Sequence, residues 1–141
     1  MADFDRFVNL TPHTISLYRV FGRSEEEGWE IIDVEPTGTV ARVMEFQCDP
    51  NRGELPSVLG VRCVSAPAEA GVCGLPDPVP GVAYLVSRML ARAVPDRYDV
   101  FAPDTGPESA VRGDDGQIRY VRRLIMCGGP RSAYGTTQEP A

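Results

Sequence analysis

The chain contains no lysine. All 14 of its basic residues are arginine, set against 20 acidic residues for a net charge of −6. That balance works against binding to a nucleic-acid polymer, because such affinity comes largely from phosphate neutralisation. A small anion is a different matter, since arginine grips phosphate through a planar fork and several can converge in one pocket. Histidine is nearly absent: His13 is the only imidazole, so any histidine-dependent acid–base step must use it. The four cysteines, Cys48, Cys63, Cys73 and Cys127, form no CxxC pair. With one histidine beside them, that spacing argues against a zinc centre and predicts buried or idle thiols, with no metal and no cofactor. Apolar runs fall short of the roughly 20 residues that cross a bilayer, which predicts no membrane partner. The opening MADFDRFVNL lacks a basic segment followed by an apolar one and predicts no secretory signal, hence a cytoplasmic protein. GxGxxG and GxxxxGK[ST] loops are missing, and no Ser or Cys stands at a nucleophile elbow, so no catalytic triad can be assembled from motifs.

What remains is an ordinary globular composition. The 141 residues are 43% hydrophobic and 24% charged, with Gly 14 and Pro 13 marking a turn-rich chain. One domain over residues 1–127 and a flexible tail over 128–141 are expected, because the last residues lack an apolar pattern. The fold class read from the pattern is α+β, a small single domain with an antiparallel-rich sheet and one principal helix at about residues 87–94. Residues 7–10 and 15–18 flank a turn and read as a first strand pair, followed by a strand at 30–34. Residues 39–46 and 58–65 alternate, the latter with Leu59, Val61 and Cys63 on the buried side. Residues 66–80 read as a surface connection, and the apolar run 81–86 as an interior strand. Ser87 is an N-cap, Pro95 a stop, and strands at 98–101 and 117–126 bracket a long loop over 102–116.

Three places carry candidate chemistry. The first is the strand-to-helix junction at Ser87, with Arg88 in the first turn, where free backbone donors and a cation suit a phosphate. The bland reading is a plain helix cap with a solvated Arg. The second joins Arg97 and Asp99 to Asp104, carboxylates that could accept ribose hydroxyls as in dinucleotide folds, or serve only as turn formers. The third is Asn9-Leu10-Thr11-Pro12-His13, where Asn9 and Thr11 either meet a ligand with His13 or fix a turn by bonds to the backbone. Near the carboxyl end lie Arg112, Arg119, Arg122 and Arg123, of which Arg112 joins the ligand candidates and the others read as a charged edge strand.

Taken in order, Val8 to His13, Val40 to Val43, Leu75 to Pro78, Gly81 to Ser87, Arg97 to Asp104 and Val111 to Leu124 resemble a family of small phage, prophage and actinobacterial proteins. In size and layout the chain is also similar to phage sponge proteins of the Thoeris anti-defence type, which sequester cyclic nucleotide immune signals. The resemblance carries no site residues over. It implies a non-catalytic binder of a small phosphorylated nucleotide-like signal, active in phage counter-defence in the host cytoplasm, and a homo-oligomer. The ligand-binding candidates under that expectation are Asn9, Thr11, His13, Ser87, Arg88, Arg97, Asp99, Asp104 and Arg112. A small nuclease or phosphodiesterase using His13, and a virion or interaction module without ligand, are the competing expectations.

Overall fold

The computed structural model describes residues 4–46, 57–63 and 68–128. In chain order the strands are β1 (Arg6–Asn9), β2 (Ile15–Val20), β3 (Trp29–Val34), β4 (Arg42–Phe46), β5 (Ser57–Val58), β6 (Val61–Arg62), β7 (Ala68–Cys73) and β8 (Val82–Leu85). Helix α1 (Arg88–Ala93) follows, then β9 (Val100–Pro103), β10 (Ala110–Arg112), β11 (Ile118–Val121) and β12 (Leu124–Ile125). Two four-stranded sheets carry the fold: an inner one ordered β1-β8-β9-β12 and an outer one ordered β10-β11-β2-β3. The small hairpins β4–β7 and β5–β6 complete an α+β domain. None of its helices, among the described residues, is long and apolar enough to cross a membrane.

Strand parity explains the layering. Val82, Tyr84 and Val86 project from the β8 segment into a core shared with Leu90 and Ala91 of α1, Val43 of β4 and Val72 of β7. Leu85 projects the other way, to Leu17 and Val121 of the outer sheet, with Phe7, Phe101 and Leu124 around them. The inner sheet is therefore covered on both faces, which is why β8 reads as an unbroken apolar run. It is also why its order is parallel where the β8–α1–β9 crossover builds it. Ser87 caps α1, accepting a 3.2 Å bond from the Leu90 amide, and the helix ends at Val94, just before Pro95.

Several expectations need correcting. β1 and β2 do not pair: β1 lies parallel to β8, and β2 pairs antiparallel with β3. The chain changes sheets between them, so the turn is a corner and not a hairpin. Residues 58–65 do not make one alternating strand with Leu59 inward. Leu59 and Gly60 both adopt positive φ, the turn that joins β5 to β6. Leu59 is consequently 99% exposed, and Val61 and Cys63 are exposed with it. The stretch 66–80 holds β7, a partner for β4 across a bulge between Met44 and Glu45, and the loop 102–116 holds β10. Residues 117–126 split at Arg122-Arg123 into β11 of the outer sheet and β12 of the inner one. Cys73 is also exposed and Cys127 half-buried, so of the two expectations for the thiols, buried or idle, burial does not hold for Cys63 and Cys73. Cys48 and the tail from residue 129 onward lie outside the described residues. Gly128 is buried, and a Cβ there would collide with the carbonyls of Pro95 and Arg97, so no side chain would fit.

Candidate functional site

The polar residues singled out from the sequence fall into separate sets, each bonded within itself. Asn9 is fully buried at the corner between the sheets. Its Nδ2 donates to the carbonyls of His13 and Val34, both at 2.8 Å. Its Oδ1 accepts from the Thr11 amide at 2.9 Å and the Thr11 hydroxyl at 2.7 Å. All four hydrogen-bonding positions of the amide are thus spent inside the fold. The His13 carbonyl lies 3.1 Å from the Thr11 oxygen, a second acceptor for the one hydroxyl proton that Asn9 already takes, while the His13 residue itself is exposed.

Arg97 holds Asp99 through a two-pronged pair, Nε to Oδ1 at 2.8 Å and Nη2 to Oδ2 at 2.9 Å. A third bond, from Nη2 to the Pro76 carbonyl at 2.9 Å, fastens the Leu75–Pro78 segment to this pair. The Asp99 bond raises the Arg97 pKa above its ordinary value. Asp104 accepts the Gly106 amide at 3.0 Å and the Arg123 Nε at 3.0 Å. Those two bonds, the amide foremost, hold its carboxyl below the ordinary range, with Arg123 and the more distant Arg88 adding positive charge. Arg112 donates to the Gly116 carbonyl at 2.7 Å. Ser87 and Arg88 occupy the cap and first turn of α1 as expected. Among the described residues no hydrogen bond or ion pair joins one of these sets to another.

A cleft of about 1010 Å³ lies elsewhere, along the seam where β1 and the β11–β12 crossover face β2 and β3. Its floor is apolar and includes Phe7, Leu17, Ile32, Val34, Val121 and Leu124. Four guanidinium-bearing residues, Arg6, Arg19, Arg122 and Arg123, line it together with Asp5, Asp33 and Glu35. Most of these charges are engaged. Arg19 meets Glu30 at 3.3 Å, and Arg123 meets Asp104 at 2.8 Å and Glu108 at 3.4 Å. Asp33 accepts from the Ser16 hydroxyl at 2.6 Å and Glu35 from the Thr14 hydroxyl at 2.9 Å. Arg6 and Arg122 form no ion pair among the described residues.

Arg122 lies 5.5 Å above the Tyr18 ring, and that ring stacks between Trp29 at 5.4 Å and Tyr120 at 6.0 Å. Desolvation among these groups, together with a hydrogen bond to Glu25, pushes the Tyr18 phenol up to about 12 and keeps it neutral. Among the described residues the lining contains no histidine, cysteine or serine. Anion recognition beside an apolar floor is the chemistry this lining offers.

None of the nine sequence candidates lines this cleft. Arg122 was legible only as part of a charged edge strand, Tyr18 only as the end of a strand and Arg6 not at all, because nothing local distinguishes a guanidinium that faces a seam from one that faces solvent. Buried Ser109 also escaped notice. Its hydroxyl accepts the amides of Arg122 at 3.0 Å and Arg123 at 2.9 Å, pinning the place where β11 leaves the outer sheet and β12 joins the inner one. No cluster of three His, Cys, Asp or Glu suited to a metal ion occurs among the described residues. No protein-family model, curated protein or solved structure matches the chain.

Proposed function

We propose that the protein is a non-catalytic binder that sequesters a small phosphorylated, cyclic nucleotide-like signal, and that the intersheet cleft holds it. The observation that carries this reading is the pair Arg6 and Arg122, two guanidinium groups without ion-pair partners among the described residues, beside an apolar floor in a chain of net charge −6. Most of the described arginines form no ion pair, and Arg6 and Arg122 are the two of them that line this cleft. Leaving them unpaired at a concave site is the arrangement an anionic ligand would complete. The cleft volume of about 1010 Å³ is at the upper end of the range for small-molecule pockets, roughly 300–1,000 Å³. Phosphates would sit on the guanidinium forks and base faces on the apolar floor. The likeness to sponge proteins is what suggests a cyclic immune signal, and with it phage counter-defence in the host cytoplasm.

Two measurements test the reading. Mass spectrometry of material released on denaturing the purified protein should recover an intact nucleotide. Calorimetry against cyclic di- and trinucleotides and cyclic ADP-ribose isomers should then show saturable binding. A charge-assisted contact contributes about 1.5–3 kcal/mol, so Arg6→Ala and Arg122→Ala should each weaken that binding by roughly 10- to 150-fold. Undiminished affinity in both variants removes the cleft as the site. Turnover that disappears in His13→Ala would replace sequestration with catalysis, and no binding to any member of the panel would leave an interaction module.

A further inference from the structure

The outer sheet ends at β3 in a strand that has one neighbour among the described residues. β3 ends the order β10-β11-β2-β3, and among the described residues no strand pairs with it on the side away from β2. The hydrogen-bond parity of that edge follows from its ends. At the hairpin tip the Phe21 amide donates to the Gly28 carbonyl at 2.9 Å, which makes 21 and 28 a hydrogen-bonded pair. In the register Arg19↔Glu30, Leu17↔Ile32 and Ile15↔Val34, alternation then turns the backbone groups of Glu30, Ile32 and Val34 toward β2. Those of Trp29, Ile31 and Asp33 point outward. Beyond Val34 the same side is closed by β1, where the Thr37 amide donates to the Asn9 carbonyl at 3.1 Å and Asn9 bridges Pro36. The fold therefore covers this edge at one end and leaves it open over Trp29–Asp33.

The open part carries two charges, Glu30 and Asp33, and lacks the other common guards. It carries no proline and no lysine, and its register with β2 contains no bulge, the devices that usually blunt an edge. We propose that two copies join here by antiparallel β3–β3 pairing about a two-fold axis through Ile31. That register uses every outward group. Ile31 pairs with the partner's Ile31, and Trp29 pairs with the partner's Asp33 in both directions, each pair closing two backbone bonds. Centring on Ile32 would instead require residue 35, which lies beside the closed end, and centring on Glu30 would set like charges face to face. Pleat parity holds as well. Ile31 meets Ile31 and Trp29 meets Asp33 on the outer face, while Glu30 meets Ile32 on the other, so no like charges oppose. The pairing owes nothing to the ligand reading, and either can fail alone.

Sedimentation of the full chain over a concentration series, with residue-resolved amide exchange, tests the pairing. The expected result is a dimer in which the Trp29, Ile31 and Asp33 amides are protected. Ile31→Lys places two like charges at the axis on an already exposed side chain, and should weaken association about tenfold or more. In the dissociated variant those three amides should exchange about tenfold faster or more, whereas Glu30 and Ile32, bonded to β2, stay protected and report an intact fold. A strict monomer at every concentration overturns the proposal. So does a dimer whose three outward amides exchange freely.

Discussion

The two large sheets have the same number of strands and opposite surroundings. The inner sheet, β1-β8-β9-β12, is buried against α1 and β4–β7 on one side and the outer sheet on the other. The outer sheet, β10-β11-β2-β3, packs one face on Leu85 and Phe101 and leaves the other to solvent, with Trp29 55% exposed on it. The inner sheet is where stability resides, and its residues are chosen for volume. On the outer sheet and along the seam between the two lie groups that the core does not require: Arg6 and Arg122, which have no ion pair among the described residues, the stacked rings around Tyr18, and the open edge of β3. Function is therefore to be sought where packing has stopped dictating the residue.

That contrast is sharpest at Leu85, which is 0% exposed and couples the two sheets. Leu85→Ala should cost about 2–5 kcal/mol, because a rigid strand covered on both faces cannot collapse onto the space left behind. Chemical denaturation gives the number directly. A loss below about 1 kcal/mol would mean that the seam closes up on truncation, and the distinction between a packed layer and an open one would fail.

Asn9 comes next. Asn9→Ala removes both donors and both acceptor positions at the corner, leaving the Thr11 amide and the His13 and Val34 carbonyls without their partner. Each buried group left unpaired costs about 1–3 kcal/mol, and water entering from the exposed His13 side should hold the total to about 3 kcal/mol. Calorimetry with the panel above should show binding per folded molecule unchanged. An affinity that fell while stability held would return Asn9 to the ligand.

How far this was legible in the sequence depends on the range of the interaction. The apolar run at 81–86, the Ser87 cap and the Pro95 stop are local signals, and β8 and α1 stand where those signals put them. Strand partners are not local. Residues 7–10 and 15–18 look like a hairpin because a short turn separates them, yet Asn9 turns the chain from one sheet to the other. The same ambiguity misdirects the site. Asn9, Asp99 and Asp104 are conspicuous as polar residues beside apolar strands, and that is equally the signature of a corner clamp and of a ligand contact. Their partners, the carbonyls of His13 and Val34, Arg97 and Arg123, are up to 25 residues away in sequence and decide between the two. Arg6 and Arg122 carry no such mark, since only the fold shows which arginines line the cleft.

On the outer sheet the effects shrink. Trp29→Ala removes one member of the Trp29–Tyr18 stack from a face already in water, and should cost about 0.5–1.5 kcal/mol by denaturation. A loss as large as that of Leu85→Ala would show that this face is covered in solution.

The smallest effect is electrostatic and appears only in alkali. Tyr18 has its phenol pushed up from the ordinary 10.0 to about 12 by desolvation, then by the hydrogen bond and negative charge of Glu25, against a smaller pull from Arg122. Between those two values the folded chain holds a proton that the unfolded chain has released. Stability from this group is therefore complete below about pH 10 and drains away as the pH rises toward about 12. Tyr18→Phe keeps the ring between Trp29 and Tyr120 but has no proton to lose, so its stability should decline less steeply over the same window. Denaturant midpoints of the two proteins, followed from neutral pH into that window, give the difference free of the other tyrosines. Parallel declines would show that the Tyr18 phenol titrates in the folded state as it does in water, and that the outer face is wetter than its stacked rings imply.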